Sequence, residues 1–269
     1  MHIIQHVLLC VLELWDTGWC DGHLAYVTVP DAMRGLGVPR PCTHFERGPL
    51  GASWYAYPTE ERLREVDADT VARTLPDTSH LASDAASVKG DDTDLSEFAR
   101  TNAALRGTAE YDGILVHLVE DVTYDRHILR AVDCSGKREG RFALGSTVMD
   151  GRQFRESVTR SELRGISLLC SDIRERRGID VNNGWLDANV MPLLARDLSP
   201  ALAGNQRRYL DVDGCLARCA GMGDQGGRAG ITSDDDWERM YADAGRDIVA
   251  IANGDMTPLA RYALRQATR

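Results

Sequence analysis

A chain of 269 residues with 43% hydrophobic side chains can bury a sizeable core without disulfide staples. Its formal charge of −10 argues against a protein that works by neutralising nucleic-acid phosphates or by lying on an anionic membrane, since both need concentrated positive charge. Seven cysteines, an odd number without the density of a secreted disulfide scaffold, fit reduced thiols and a cytoplasmic location.

The first element, Ile3 to Trp15, is strongly apolar but holds His6 and Glu13, lacks a basic leader and a small-residue cleavage site, and falls short of the roughly 20 residues that span a bilayer. It reads as a buried helix or strand, or as a stretch ahead of the true fold. His23 to Val29 is short and β-branched between Gly22 and Pro30, which suits a strand or the start of a buried helix. Gly35 to Pro58, with Pro39, Pro41, Pro49 and several glycines, reads as an extended loop. Thr59 to Leu75 has helical composition with Glu60 and Glu61 at its positive end and Pro76 as its stop. Lys89 to Asp94 is a charged turn from which Thr93 or Asp94 caps a helix to about Leu105, and the chain turns again at Gly107.

A longer helix follows from about Asp112 to Val132, with Leu115, Leu118, Val122 and Leu129 on one arc that must face the core. Asp133 to Gly151 alternates glycines with the short apolar pieces Phe142 to Leu144 and Thr147 to Met149, as a small β-hairpin would. Further helices are expected at Arg152 to Arg177, Leu186 to Leu198 and Asp236 to Asn253, and Gly221 to Gly230 reads as a mobile connection. With no repeat of solenoid length, the fold class is mainly α: one compact helical domain with a small hairpin excursion.

Chemistry concentrates in the middle helix. His117 and Asp121 stand four residues apart, about 5 to 6 Å on a helix, so they can share a metal ion or a proton. With Tyr124 and Asp125 they border the apolar arc, where imidazole and carboxylate cost free energy unless paired or bound to a cation. The spacing recurs at His80 and Asp84, and His23 and His44, beside the proline-rich segment, are the candidates to complete a divalent-metal site. Asp125 or Glu120 would then orient a ligand or act as general base. A buried histidine–carboxylate hydrogen bond that locks the helix is the competing reading of the same pair. His2 and His6 also stand four apart but at the chain end, His127 reads as solvated, and Cys215 and Cys219 lack the second pair of a zinc clip. No G-x-S-x-G elbow, phosphate loop, dinucleotide fingerprint or H-E-x-x-H occurs.

The stretch from Gly113 to Ile128, G-I-L-V-H-L-V-E-D-V-T-Y-D-R-H-I, resembles the central H-L-x-x-D helix of helical metal-dependent hydrolases of the zinc-dependent phospholipase C type, over less than a tenth of the chain. The resemblance implies an all-helical domain in which His117 and Asp121 hold a divalent metal, zinc by analogy, that activates water against a phosphoester of a small-molecule substrate. The family's N-terminal ligand and its second H-x-x-x-E/D helix do not occur in the usual order, and His80 with Asp84 is the substitute on offer. The alternative is a non-catalytic helical protein that binds a partner chain or self-associates, which requires an exposed apolar patch.

Overall fold

The apolar run near the start of the chain is a helix, α1 (Ile3–Leu14), in which every residue but Glu13 is buried. It is therefore part of the core rather than a stretch ahead of the fold. The computed structural model describes residues 1–46, 56–74, 93–130, 132–133, 140–222 and 231–267. The piece read as strand or helix is helical and belongs to α2 (Trp19–Val27), which runs into α3 (Val29–Gly35) with Pro30 in the first turn. Proline costs nothing there because its missing N–H has no helical acceptor. Pro41 does the same for α4 (Arg40–Thr43), so the segment expected as extended loop contains a helical turn instead.

The single helix expected over 59–75 is two, α5 (Glu60–Leu63) and α6 (Ala68–Thr74). The break has a tertiary cause. The amide of Ser199 donates to the Leu63 carbonyl at 2.9 Å and its hydroxyl donates to the Val66 carbonyl, while Asp67 accepts from the Thr70 amide to start α6. Asp94 caps α7 (Leu95–Thr101) by accepting from the Ser96 and Glu97 amides. That helix ends early because the Asn102 side chain accepts from the Tyr57 amide and donates to the Phe98 carbonyl, and a 3-10 turn, Ala103–Leu105, completes the segment.

The central helix, α8 (Ala109–His127), starts on a Thr108 cap and both begins and ends earlier than its apolar pattern indicates. It packs against α2 and α3 on one side and α7 and α14 (Asp234–Ala252) on others, so its polar flank is as buried as its apolar arc. His127, expected in solvent, is mostly buried and paired with Asp243 at 2.9 Å. Three antiparallel strands follow, β1 (Val132–Asp133), β2 (Arg141–Leu144) and β3 (Thr147–Asp150), in the order β1-β2-β3. The β2–β3 hairpin pairs Phe142 with Met149 and turns at Gly145, whose φ of 57° lies in the left-handed region glycine tolerates.

Asp150 opens α9 (Gly151–Arg177) with a reciprocal capping box, and left-handed Gly178 closes it. The helix expected over 186–198 is split at Val190 into α10 (Asn183–Asn189) and α11 (Met191–Asp197), Pro192 again lying in a first turn. Sequence patterning missed α12 (Pro200–Arg207), α13 (Val212–Gly221) and α15 (Thr257–Ala267). The three aspartates of α14 occupy its first turn behind a Ser233 cap, as the helix dipole favours. The fold is thus mainly α with a small sheet, built round one continuous hydrophobic core. Among the described residues no helix is long and apolar enough to cross a membrane, and the large exposed apolar side chains are Val148 and Tyr209. The connection expected at 221–230 lies outside the described residues from 223 onward.

Candidate metal centre

Two helices cross at unusually close range to form the centre. A methyl group on Gly113 of α8 would sit 2.7 Å from Tyr26 Cβ and 2.8 Å from the His23 carbonyl oxygen of α2, so only glycine lets the two backbones approach this far. One turn along α8, His117 Nδ1 consequently reaches the Val27 carbonyl of α2 at 2.8 Å and donates its proton there. From α1, His6 stacks on His117 with ring centroids 3.8 Å apart. The α4 turn brings His44 edge-on to His117, and α3 supplies Asp31.

The ligand-type atoms converge. His117 Nε2 lies 3.1 Å from His44 Nε2 and 3.8 Å from Asp121 Oδ2; His44 Nε2 is 3.5 Å from Asp121 Oδ2 and 3.6 Å from Asp31 Oδ1. His6 Nε2 is 3.5 Å from Asp121 Oδ1. Two overlapping triads result, His6 with Asp31 and His117, and His44 with His117 and Asp121, the chosen atoms of each lying within 4.8 Å of one another. Atoms that share a metal at bonds of about 2.0 to 2.2 Å stand roughly 3 to 3.5 Å apart, so these spacings are close to those of a coordination shell.

Each imidazole is fixed at Nδ1 by an acceptor outside the triads. His6 Nδ1 pairs with the Glu120 carboxylate in a short hydrogen bond, His117 Nδ1 donates to the Val27 carbonyl, and His44 Nδ1 lies 2.7 Å from the Thr43 hydroxyl, which itself donates to the Arg40 carbonyl. With the protons on Nδ1, the Nε2 lone pairs of His44 and His117 face inward, whereas at His6 burial is outweighed by the Glu120 and Asp121 carboxylates, which raise the pKa, so a cation bound there would displace a proton. Two lone pairs at 3.1 Å repel unless a cation or a proton lies between them, and His6 Nε2, fully buried, has no hydrogen-bond partner at all. Burial and the Arg40 charge push His44 well below its ordinary pKa, and burial with the neighbouring His6 lowers His117 to about 3, so both rings are neutral and able to donate electron pairs.

The surroundings are rich in negative charge. Asp31, Glu46, Asp121 and Asp125 all act on the Arg40 guanidinium, which holds Glu46 at 2.6 Å and Asp121 at 2.9 Å; the α-amino nitrogen of Met1 lies 2.7 Å from Asp121. Burial would raise Asp121, but the Met1 nitrogen and Arg40 outweigh it and keep the carboxylate ionised, whereas burial pushes Glu120 up to about 7 against the pull of His6. Mixed nitrogen and oxygen donors around three buried Nε2 atoms, that of His6 without a hydrogen-bond partner, suit a divalent transition ion.

Of the residues singled out in sequence, the structure brings together His117, Asp121 and His44, with Glu120 one shell out as an orienting partner of His6. His23 is elsewhere, stacked on Trp19 with Nδ1 donating to the Trp19 carbonyl, and Asp125, though buried on α8, is not in either triad. His80 and Asp84 lie outside the described residues. Sequence reasoning set His6 aside as a chain-end residue and missed Asp31, Arg40 and Glu46; for His6 the signal was available, since an imidazole inside an otherwise apolar helical run must be buried and must find partners. Comparison of the chain with family models, curated proteins and solved structures finds no match.

Proposed function

We propose that the chain is a divalent-metal-dependent hydrolase acting on a phosphoester or related ester of a small molecule. The observation that carries the reading is the inward convergence of three Nε2 atoms and two carboxylates, each imidazole oriented from behind by its own Nδ1 partner. His6, His44, His117, Asp31 and Asp121 would hold the ion, with zinc the natural candidate for such a donor set. When bound, a divalent ion there supplies Lewis acidity and acidifies water towards neutrality. Glu120 and the Val27 carbonyl fix the tautomers of His6 and His117, and Arg40 keeps Asp121 ionised and turned inward.

Approach from solvent favours one side. His6, His44 and His117 are fully buried, whereas Asp31 retains 15% of its side-chain exposure and stands 3.4 Å from the half-exposed Arg34 guanidinium. A guanidinium at that rim suits an anionic ester, whose phosphoryl oxygens it can hold bidentately. The described cysteines are all free thiols, which supports a cytoplasmic location. The alternative of a partner-binding helical protein requires an exposed apolar patch, and among the described residues the large exposed apolar side chains are Val148 and Tyr209.

Tag-free protein is expected to retain one divalent ion per chain by elemental analysis, and to hydrolyse a chromogenic phosphodiester in a chelator-sensitive way that added metal restores. His117→Ala should lose both metal and activity. Protein that keeps its fold yet binds no ion from a panel of zinc, manganese, cobalt and nickel would sink the proposal.

A further inference from the structure

A second site lies in the groove between α9 and α13. Arg152, Arg155 and Arg160 of α9 and Arg218 of α13 line a cavity of about 500 Å³ with Leu163 and Met222 in its wall, a volume in the usual range for small-molecule sites. None of these residues belongs to the metal centre, so the inference stands independently of the hydrolase reading.

The charge pattern of the groove departs from the rest of the surface. The chain carries 41 acidic against 31 basic residues, and many of its exposed arginines are paired: Arg164 with Asp234, Arg174 with Asp180, Arg207 with Asp187, Arg246 with Asp243. In the groove the balance reverses. Among the described residues Glu156 is the one acid of its lining and is taken by Arg152 at 2.9 Å. Arg155 and Arg160 form no ion pair with a carboxylate among the described residues; Arg218 acts at longer range on the Asp211 carboxylate and donates to the Cys215 sulfur at 3.4 Å, which holds it along α13. Gathering unpaired guanidinium groups in one hollow is unfavourable unless an anion offsets their repulsion.

We infer that this groove binds a compact polyanion carrying two or three phosphate groups. Guanidinium forks match phosphate oxygens bidentately, and the Thr159 hydroxyl adds a donor on the same wall. The dimensions decide between a small and a large anion. From Arg152 to Leu163 the α9 wall extends roughly 16 Å at 1.5 Å per residue, enough for a triphosphate and too short for the several phosphates a nucleic-acid duplex must have neutralised. The acidic surface beyond the groove repels a long polyanion further.

Inorganic tripolyphosphate titrated by calorimetry into metal-free protein, in the presence of chelator, tests the assignment without contribution from the metal centre. Saturable binding is expected, weakening as salt rises, and falling at least tenfold in Arg155→Glu/Arg160→Glu and in Arg218→Glu while His117→Ala binds as the parent chain does. The milder Arg155→Gln and Arg160→Gln, which leave the fold unstressed, should each weaken binding several-fold. Absence of binding at millimolar tripolyphosphate, or equal binding by the parent and the arginine variants, overturns the proposal.

Discussion

Three imidazoles in the centre are held at Nδ1 by three kinds of acceptor: a carboxylate, a backbone carbonyl and a hydroxyl. The His6–Glu120 pair is the most informative of them, because Glu120 belongs to neither triad and its hydrogen bond goes to His6. Glu120→Gln keeps the size of the side chain and removes the charge that stabilises the Nδ1 proton. Metal affinity should fall about 10- to 100-fold, the usual range for losing an orienting partner, with little change in fold. Competition against a chromophoric chelator measures it, and an unchanged affinity would show that His6 is not a ligand. At this scale the sequence was partly legible. Four-residue spacing on a helix found His117 and Asp121 because it is a local geometric rule, but Asp31 and His44 reach the centre through tertiary packing of α3 and α4, which no local spacing encodes. Charge type carries no such information either: Arg40 joins Glu46 to Asp121 across most of the first half of the chain.

At the scale of elements, the crossing of α2 and α8 positions the centre, and two glycines separate its packing from intrinsic helix propensity. Gly22 lies on α2 with nothing within 4 Å of the place an alanine methyl would take, whereas the same methyl on Gly113 would meet backbone atoms of α2 below or at 3.0 Å. Gly22→Ala should therefore stabilise the chain by about 0.4 to 1 kcal/mol through reduced freedom of the unfolded state. Gly113→Ala should destabilise it by about 1 to 3 kcal/mol and lengthen the Val27–His117 hydrogen bond, because two backbones must separate. Urea unfolding of the two variants checks the opposite signs; equal effects would mean that the crossing is not tight. Patterning found most of the long helices but misjudged breaks made by distant groups. Ser199, far along the chain, splits the 59–75 helix by taking the carbonyls of Leu63 and Val66, and α8 hides its polar flank because helices cover it from more than one side.

Across the whole molecule, the centre sits where an ordinary domain would place only apolar side chains. His6, His117 and Glu120 are fully buried among the leucines and valines of α1 and α8, with a surplus of carboxylates over neighbouring cations. Removing charges from water costs several kcal/mol per ion unless they are compensated, so a divalent ion should act on global stability as well as on chemistry. Any ligand bound only by the folded state stabilises it in proportion to the logarithm of its concentration over Kd, about 4 kcal/mol at a thousandfold excess. For a chain of this size 1 kcal/mol moves Tm by roughly 2 to 4 °C, so saturating metal should raise the melting temperature of chelator-treated protein by about 10 °C. His117→Ala, which loses the ring shared by both triads, should melt at the same temperature with and without added metal. Calorimetric scans of the four samples decide the matter: a parent chain indifferent to both metal and chelator would leave the buried carboxylates compensated by Arg40 and protonation alone, and the lone pairs of His44 and His117 would have to be separated by a proton.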